Sequence, residues 1–237
     1  MMRTFKVLSA LLMYPSEALV AAAPEFAAVI EAEGLVPEAQ RRALDGLSED
    51  IATTDVYDLL EQYGQLFDRS KTLARSLFEP VHGESRDRGQ AMVDLRSMYE
   101  KAGLAIETNE LPDYLPLFLE FLSVRPFEEA RALLADTAHI LAALVERLGR
   151  RQSPYKAVFD ALVAMVDEAP RREIVDEILK SPDPDPMDLK ALDAAWEEEE
   201  VRFGPGAQAQ GACGQESLIA KLRHARRAVN AASPTVQ

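Results

Sequence analysis

The chain has 237 residues, 48% of them hydrophobic and 7% aromatic, with 26 Lys and Arg against 40 Asp and Glu for a formal net charge of −14. That charge repels DNA, RNA and anionic lipid. It suits basic partners such as a Lys/Arg-bearing peptide, or serves solubility alone. A lone cysteine, Cys213, excludes an internal disulfide and a cysteine-built zinc site, and fits a reducing, cytoplasmic compartment.

Ala and Leu dominate while Thr, Ile and Tyr are sparse, which favours helices over strands. The N-terminal run carries Arg3, Lys6 and an apolar stretch from Val7 to Tyr14, but Pro15 and Glu17 interrupt the path to the alanines at 21–23. Phe5, Leu8, Leu11, Leu12 and Tyr14 repeat at helical spacing, so a first core helix is the better reading than a signal peptide. No run approaches the ~18 apolar residues of a membrane span.

Ser16 caps a short helix, Pro24 opens the next at its first turn, and Gly34 ends it. Pro37 opens a helix bearing Leu44, Leu47 and Ile51, and Thr54 caps "DVYDLLEQYGQLF". Ser85 is the expected N-cap of "RDRGQAMVDLRSMYEKAG", with Met92, Leu95, Met98 and Tyr99 on its apolar stripe and Gly103 at its end. Pro112 opens "PDYLPLFLEFLS", Pro126 starts the longest helix with Gly149 as terminator, and Ser153-Pro154 begins another that Pro170 closes. A short helix around Ile174 to Leu179 follows. No stretch alternates long enough for a strand.

These readings predict an all-α, single compact multi-helix domain of about eight to ten helices over residues 1–180. At "SPDPDPMD" the composition shifts. Residues 181–237 are expected to form a Pro/Gly-rich linker, an acidic segment and a short basic C-terminal helix, largely flexible.

Chemistry-bearing residues crowd into "LFEPVHGESRDRGQAMVDL", where His82, Glu84, Ser85, Arg86, Asp87 and Arg88 fall within seven positions. Glu79-x-x-His82 and Asp136-x-x-His139 have the spacing of di-iron helical bundles, yet Pro80 interrupts the first, and His139 is expected on the water side of its helix. Ser85 lacks a nucleophile-elbow context, Cys213 lies in the expected tail, and no phosphate-binding glycine loop is present. No catalytic, cofactor-binding or metal residue is therefore assigned. The alternating charges read as a solvated run at a helix start, or as the polar rim of an apolar surface supplied by Phe78, Val81, Met92 and "YLPLFLEFL".

The run "YGQLFDRS…SLFEPVHGESRDRGQAMVDLRSMYEKAGL", followed by "NELPDYLPLFLEFLS", resembles the delta-type assembly chaperones of respiratory nitrate reductase. These belong to the wider helical family of redox-enzyme maturation chaperones for molybdoenzymes. The resemblance is close over residues 63–123 and extends more weakly to "FKVLSALLMYP" and "WEEEEVRFG". It implies an all-α cytoplasmic non-enzyme that needs no cofactor of its own. Such a protein binds the apo catalytic α subunit through that subunit's basic, amphipathic N-terminal segment. It supports molybdenum cofactor insertion, prevents premature membrane docking and leaves before the enzyme is finished. Molybdenum cofactor biosynthesis proteins are further candidate partners; nucleic acid and direct membrane insertion are not expected. Relatives serving other molybdoenzymes carry Glu-x-Pro-Asp-His, sometimes linked to nucleotide binding; Glu110-Leu-Pro112-Asp113-Tyr114 has tyrosine instead, so that role is not carried over. The alternatives are a helical peptide-binding adaptor for another molybdoenzyme client and a metal-dependent helical-bundle enzyme.

The expected client surface has Tyr114, Leu115, Phe118 and Phe121 as its apolar floor and Glu84, Asp87, Asp113 and Glu120 as its acidic rim. Phe78 adds to its apolar surface, and His82 and Arg86 to its polar edge. One helix buries one main face, so some of the four floor residues must belong to the core instead.

Overall fold

A computed structural model of the protein describes residues 1–73, 75–78, 86–107, 110–181 and 183, and of Lys71, Arg86 and Asp87 the backbone alone. The expected flexible tail, with Trp196 and Cys213, lies outside them, as do Ser85, His82 and Glu84. The described residues form an all-α fold. Apolar residues three and four apart set α1 (Arg3–Leu11), whose Phe5, Leu8 and Leu11 have no exposed surface. Ser16 Oγ accepts the Leu19 N–H at 3.2 Å and so caps α2 (Glu17–Ala22). A 3₁₀ turn with Pro24 then leads into α3 (Phe26–Glu33). Gly34 ends α3 at φ 63°, a left-handed conformation that costs glycine little.

Helix α4 (Glu38–Thr53) follows, and α5 (Val56–Tyr63) runs on into a π-helical turn over Gly64–Asp68. The cap of α5 is Asp55 rather than Thr54: the Asp55 carboxylate accepts the Tyr57 N–H at 2.9 Å, while Thr54 uses its own N–H to finish α4 on Asp50. The later helices are α6 (Arg86–Lys101), α7 (Leu115–Ser123), α8 (Phe127–Arg150), α9 (Lys156–Ala164) and α10 (Arg172–Leu179).

Several expected boundaries move. Pro112 does not start α7, because residues 111–114 form a turn closed by the Tyr114 N–H on the Leu111 carbonyl at 3.0 Å. Gly149 does not end α8, which continues to Arg150; the left-handed residue beyond it is Gln152, at φ 51°. Helix α9 begins at Lys156, two residues after Pro154, and ends at Ala164, before Pro170.

Helix α7 is the hub. Leu115, Phe118, Leu119, Phe121 and Leu122 are all at most 1% exposed, so it is apolar on several sides and enclosed. It packs most closely against α1, while α8 pairs with α9 and α10, and α9 reaches α4. The Met2 N–H on the Ser123 carbonyl at 2.7 Å and the Ser9 hydroxyl on the Pro116 carbonyl at 2.8 Å fasten α1 along α7. His139, expected to face water, is 7% exposed, because α10 and the chain before it cover that side of α8. No helix among the described residues is long and apolar enough to cross a membrane.

Candidate functional site

Beside α7, two short segments meet. Ser76 and Tyr114 form an isolated antiparallel bridge. The Leu115 N–H donates to the Arg75 carbonyl at 2.7 Å, and the Leu77 N–H to the Asp113 carbonyl at 2.9 Å. These bonds pin residues 75–78 to the turn that precedes α7. The Tyr99 hydroxyl holds the same turn from α6 by donating to the Pro112 carbonyl at 2.8 Å.

Asp113 points inward. Its side chain has no exposed surface, its Oδ2 accepts the Phe78 N–H at 3.3 Å, and Arg88 Nη2 stands 3.5 Å away. Burial raises its carboxyl above the ordinary range; the Arg88 charge and the Phe78 N–H oppose that rise.

On the other side of residues 75–78 the Arg75 guanidinium lies among four rings. Its carbon is 4.9 Å from the Tyr14 centroid, 5.0 Å from Tyr63, 5.4 Å from Tyr114 and 5.8 Å from Phe67. Its Nη1 donates to the Tyr63 hydroxyl at 2.5 Å and the Tyr114 hydroxyl at 3.3 Å, and its Nη2 to Asp68 Oδ1 at 3.3 Å. The other Asp68 oxygen accepts the Tyr14 hydroxyl at 2.6 Å. The π-helical turn brings Phe67 and Asp68 to this place, one extra residue per turn displacing them from the α5 register. Tyr155 extends the ring cluster, edge-on to Phe67 at 5.3 Å and to Tyr63 at 5.8 Å. Burial pushes the Tyr63 and Tyr114 phenols up, against the lowering effect of Arg75, and the Tyr155 phenol to about 12 by burial alone. All three stay protonated and uncharged at neutral pH, and the Tyr63 and Tyr114 oxygens accept from the guanidinium. Such an array binds and orients a cation.

The structure places the expected client residues unequally. Tyr114 is half-buried in the ring cluster and Glu120 is exposed on the outer face of α7. Leu115, Phe118 and Phe121 of the expected floor, and Phe78 beside it, are at most 1% exposed, so of the floor residues these three are the ones that belong to the core. Asp113 belongs to no rim: a carboxylate that must accept a main-chain N–H beside Arg88 is drawn inside. Arg86 and Asp87 stand in the first turn of α6, while His82 and Glu84 lie outside the described residues. Among the described residues no group of three or more His, Cys, Asp or Glu is placed to hold a metal ion. The sequence reading missed Arg75, Tyr14, Tyr63, Phe67 and Asp68 as a group. The spacing of Tyr63, Phe67 and Asp68 in "YGQLFD" was a signal, but nothing local ties that run to Tyr14 or Tyr114.

A family profile described as nitrate reductase delta subunit matches residues 33–161. The chain belongs to that family. It is 42% identical over 228 residues, 96% of this chain and 93% of the relative, to the "nitrate reductase molybdenum cofactor assembly chaperone NarJ" of Escherichia coli (strain K12). It is 40% identical, over 85% of this chain and 84% of the relative, to the "probable nitrate reductase molybdenum cofactor assembly chaperone NarW" of the same organism. The probable NarJ chaperone of Bacillus subtilis (strain 168) is 32% identical over 73% of this chain and 93% of its own. The delta-subunit match spans α4 to α9 and so contains most of the ring cluster, with Tyr14 outside it.

Proposed function

We propose that this protein is a dedicated assembly chaperone, not an enzyme, for a respiratory nitrate reductase. It binds the catalytic α subunit before the molybdenum cofactor is in place, in part through that subunit's basic N-terminal segment. It holds the subunit open to cofactor insertion and keeps it from docking early at the membrane. It works in the cytoplasm and leaves before the enzyme is complete. The observation that carries this reading is 42% identity over nearly the whole chain to a protein named as a molybdenum cofactor assembly chaperone.

The physical features agree with the task. A net charge of −14 draws in a basic segment and speeds its encounter. The closed face of α7 shifts the contact surface away from Phe118 and Phe121 to the half-buried and exposed groups around it, Tyr114, Tyr14, Asp68 and Leu111. The exposed Glu120 stays a candidate for the acidic rim, joined by Glu84 and by Asp87 in the first turn of α6. His82 and Arg86 complete the proposed edge.

Affinity capture of the tagged protein from nitrate-respiring cells tests the reading. The apo α subunit should be the main captured protein, with cofactor biosynthesis proteins as secondary partners. In cells lacking this protein the α subunit should accumulate without molybdenum. Normal molybdenum content in the deletion strain would overturn the assignment.

A further inference from the structure

The geometry points to an arginine-recognition site built from Tyr14, Tyr63, Phe67, Tyr114 and Asp68, in which the chain's own Arg75 stands in for an arginine of the client. This inference deepens the proposed function and rests on it for the identity of the client alone.

Four aromatic faces within 6 Å of one guanidinium, with two phenolic acceptors and a carboxylate, make up the chemistry that selects arginine. The site opens to solvent on one side. Tyr14 is 48% exposed and the Asp68 side chain 40%, whereas Arg75 itself is 14% exposed beneath them. A partner's side chain can therefore reach the tyrosine and the carboxylate from outside.

Arg75 is held in a way that lets it leave. Its side chain bonds only to other side chains among the described residues, and its main chain is fixed separately by the Leu115 N–H. The box survives its departure, because the Tyr63 hydroxyl still donates to the Leu12 carbonyl at 2.5 Å and the Tyr14 hydroxyl to Asp68. Arg147 shows the contrasting, structural arrangement. It is 1% exposed and donates to the main-chain carbonyls of Thr72 and Ile178, both at 2.9 Å, so it cannot move without unlatching α10. Arg75 thus occupies a site of the client's own chemistry, and a binder whose competent state is only partly populated shows a correspondingly weakened affinity.

The test uses the full chain, Arg75→Ala, and two probes: N-acetyl-arginine methylamide and a synthetic peptide of the α subunit's N-terminal segment with its arginines intact or changed to glutamine. The small arginine probe should raise the melting temperature of Arg75→Ala and leave wild type unmoved. The arginine peptide should bind Arg75→Ala at least about fivefold more tightly than wild type, and the glutamine peptide should show no such gain. Equal or weaker peptide binding by a folded Arg75→Ala, with no response to the small probe, overturns the site while leaving the client reading intact. A response to the small probe without peptide binding keeps the site and overturns the client. Should Arg75→Ala fail to fold, Asp68→Asn decides: it should cut wild type's preference for the arginine peptide over the glutamine peptide severalfold, beyond the loss caused by the same change at exposed Glu120, and an unchanged preference overturns the proposal.

Discussion

Glu33 closes a helix to which it does not belong. The N-cap position of α1 is Met2, which offers no side-chain acceptor, and the Glu33 carboxylate at the end of α3 accepts the Arg3 and Thr4 N–H groups, each at 2.7 Å. Partial burial would raise this carboxyl, but the two N–H donors outweigh it and hold it below the ordinary range. Its stabilising effect is therefore fully present above an ordinary glutamate pKa of about 4.5 and is lost as pH falls through the depressed value. Glu33→Ala should cost about 1 kcal/mol in urea unfolding at neutral pH, the usual cost of a lost cap, and less in acid. His139 carries the opposite chemistry. Burial, helped by Arg171 and opposed by Asp136, lowers its imidazole pKa, and its Nε2 has no hydrogen-bond partner among the described residues. The folded state thus keeps it neutral, and stability is lost as pH drops below the ordinary imidazole value of about 6.5. Urea midpoints of His139→Met, read on either side of that value, should differ less than those of wild type.

At the scale of elements, α7 decides how the aromatic-rich segment is used. Its sequence allows either deep core or binding groove, since apolar residues lie on several of its sides. Enclosure by α1, α6 and α8 settles the matter: Tyr99 of α6 packs on Phe121 at 4.9 Å, and Phe118 is fully buried. Phe118→Ala should therefore lower stability by about 3–5 kcal/mol, as large-to-small core changes do, rather than act on client affinity alone. Retained stability with weakened peptide binding would return Phe118 to the binding surface. The π turn after α5 was equally hidden in the sequence, where "DVYDLLEQYGQLF" reads as one regular helix. Its apolar spacing records which residues are buried, not whether one extra residue has slipped into the last turn.

For the whole molecule, the proposed function predicts that the charge of −14 governs how fast a basic client segment is met. Raising ionic strength from about 0.05 to about 0.5 M should slow association with the basic α-subunit peptide by at least about tenfold, with little change in dissociation. Stopped-flow traces at several salt concentrations check this; a salt-independent on-rate would leave the acidity to solubility alone. Asp183, just past α10, pairs with Arg151 at 2.5 Å and ties this part of the chain onto α8's end.

The helical class, most of the helix register and the charge are legible along the chain, because three- and four-residue apolar spacing, prolines, Gly34 and Ser16 act through local backbone geometry. The long "HGESRDRGQAMVDL" and "ELPDYLPLFLEFL" runs likewise carry the family resemblance by themselves. The tertiary structure alone decided which side of α7 closes, that Asp113 and His139 lie inside, and that Tyr14, Asp68, Arg75 and Tyr114 share one site. Those outcomes depend on contacts between residues as far apart as Tyr14 and Asp68, 54 positions along the chain. A helical period fixes the phase of each face, but burial of that face is set by whichever distant element packs against it.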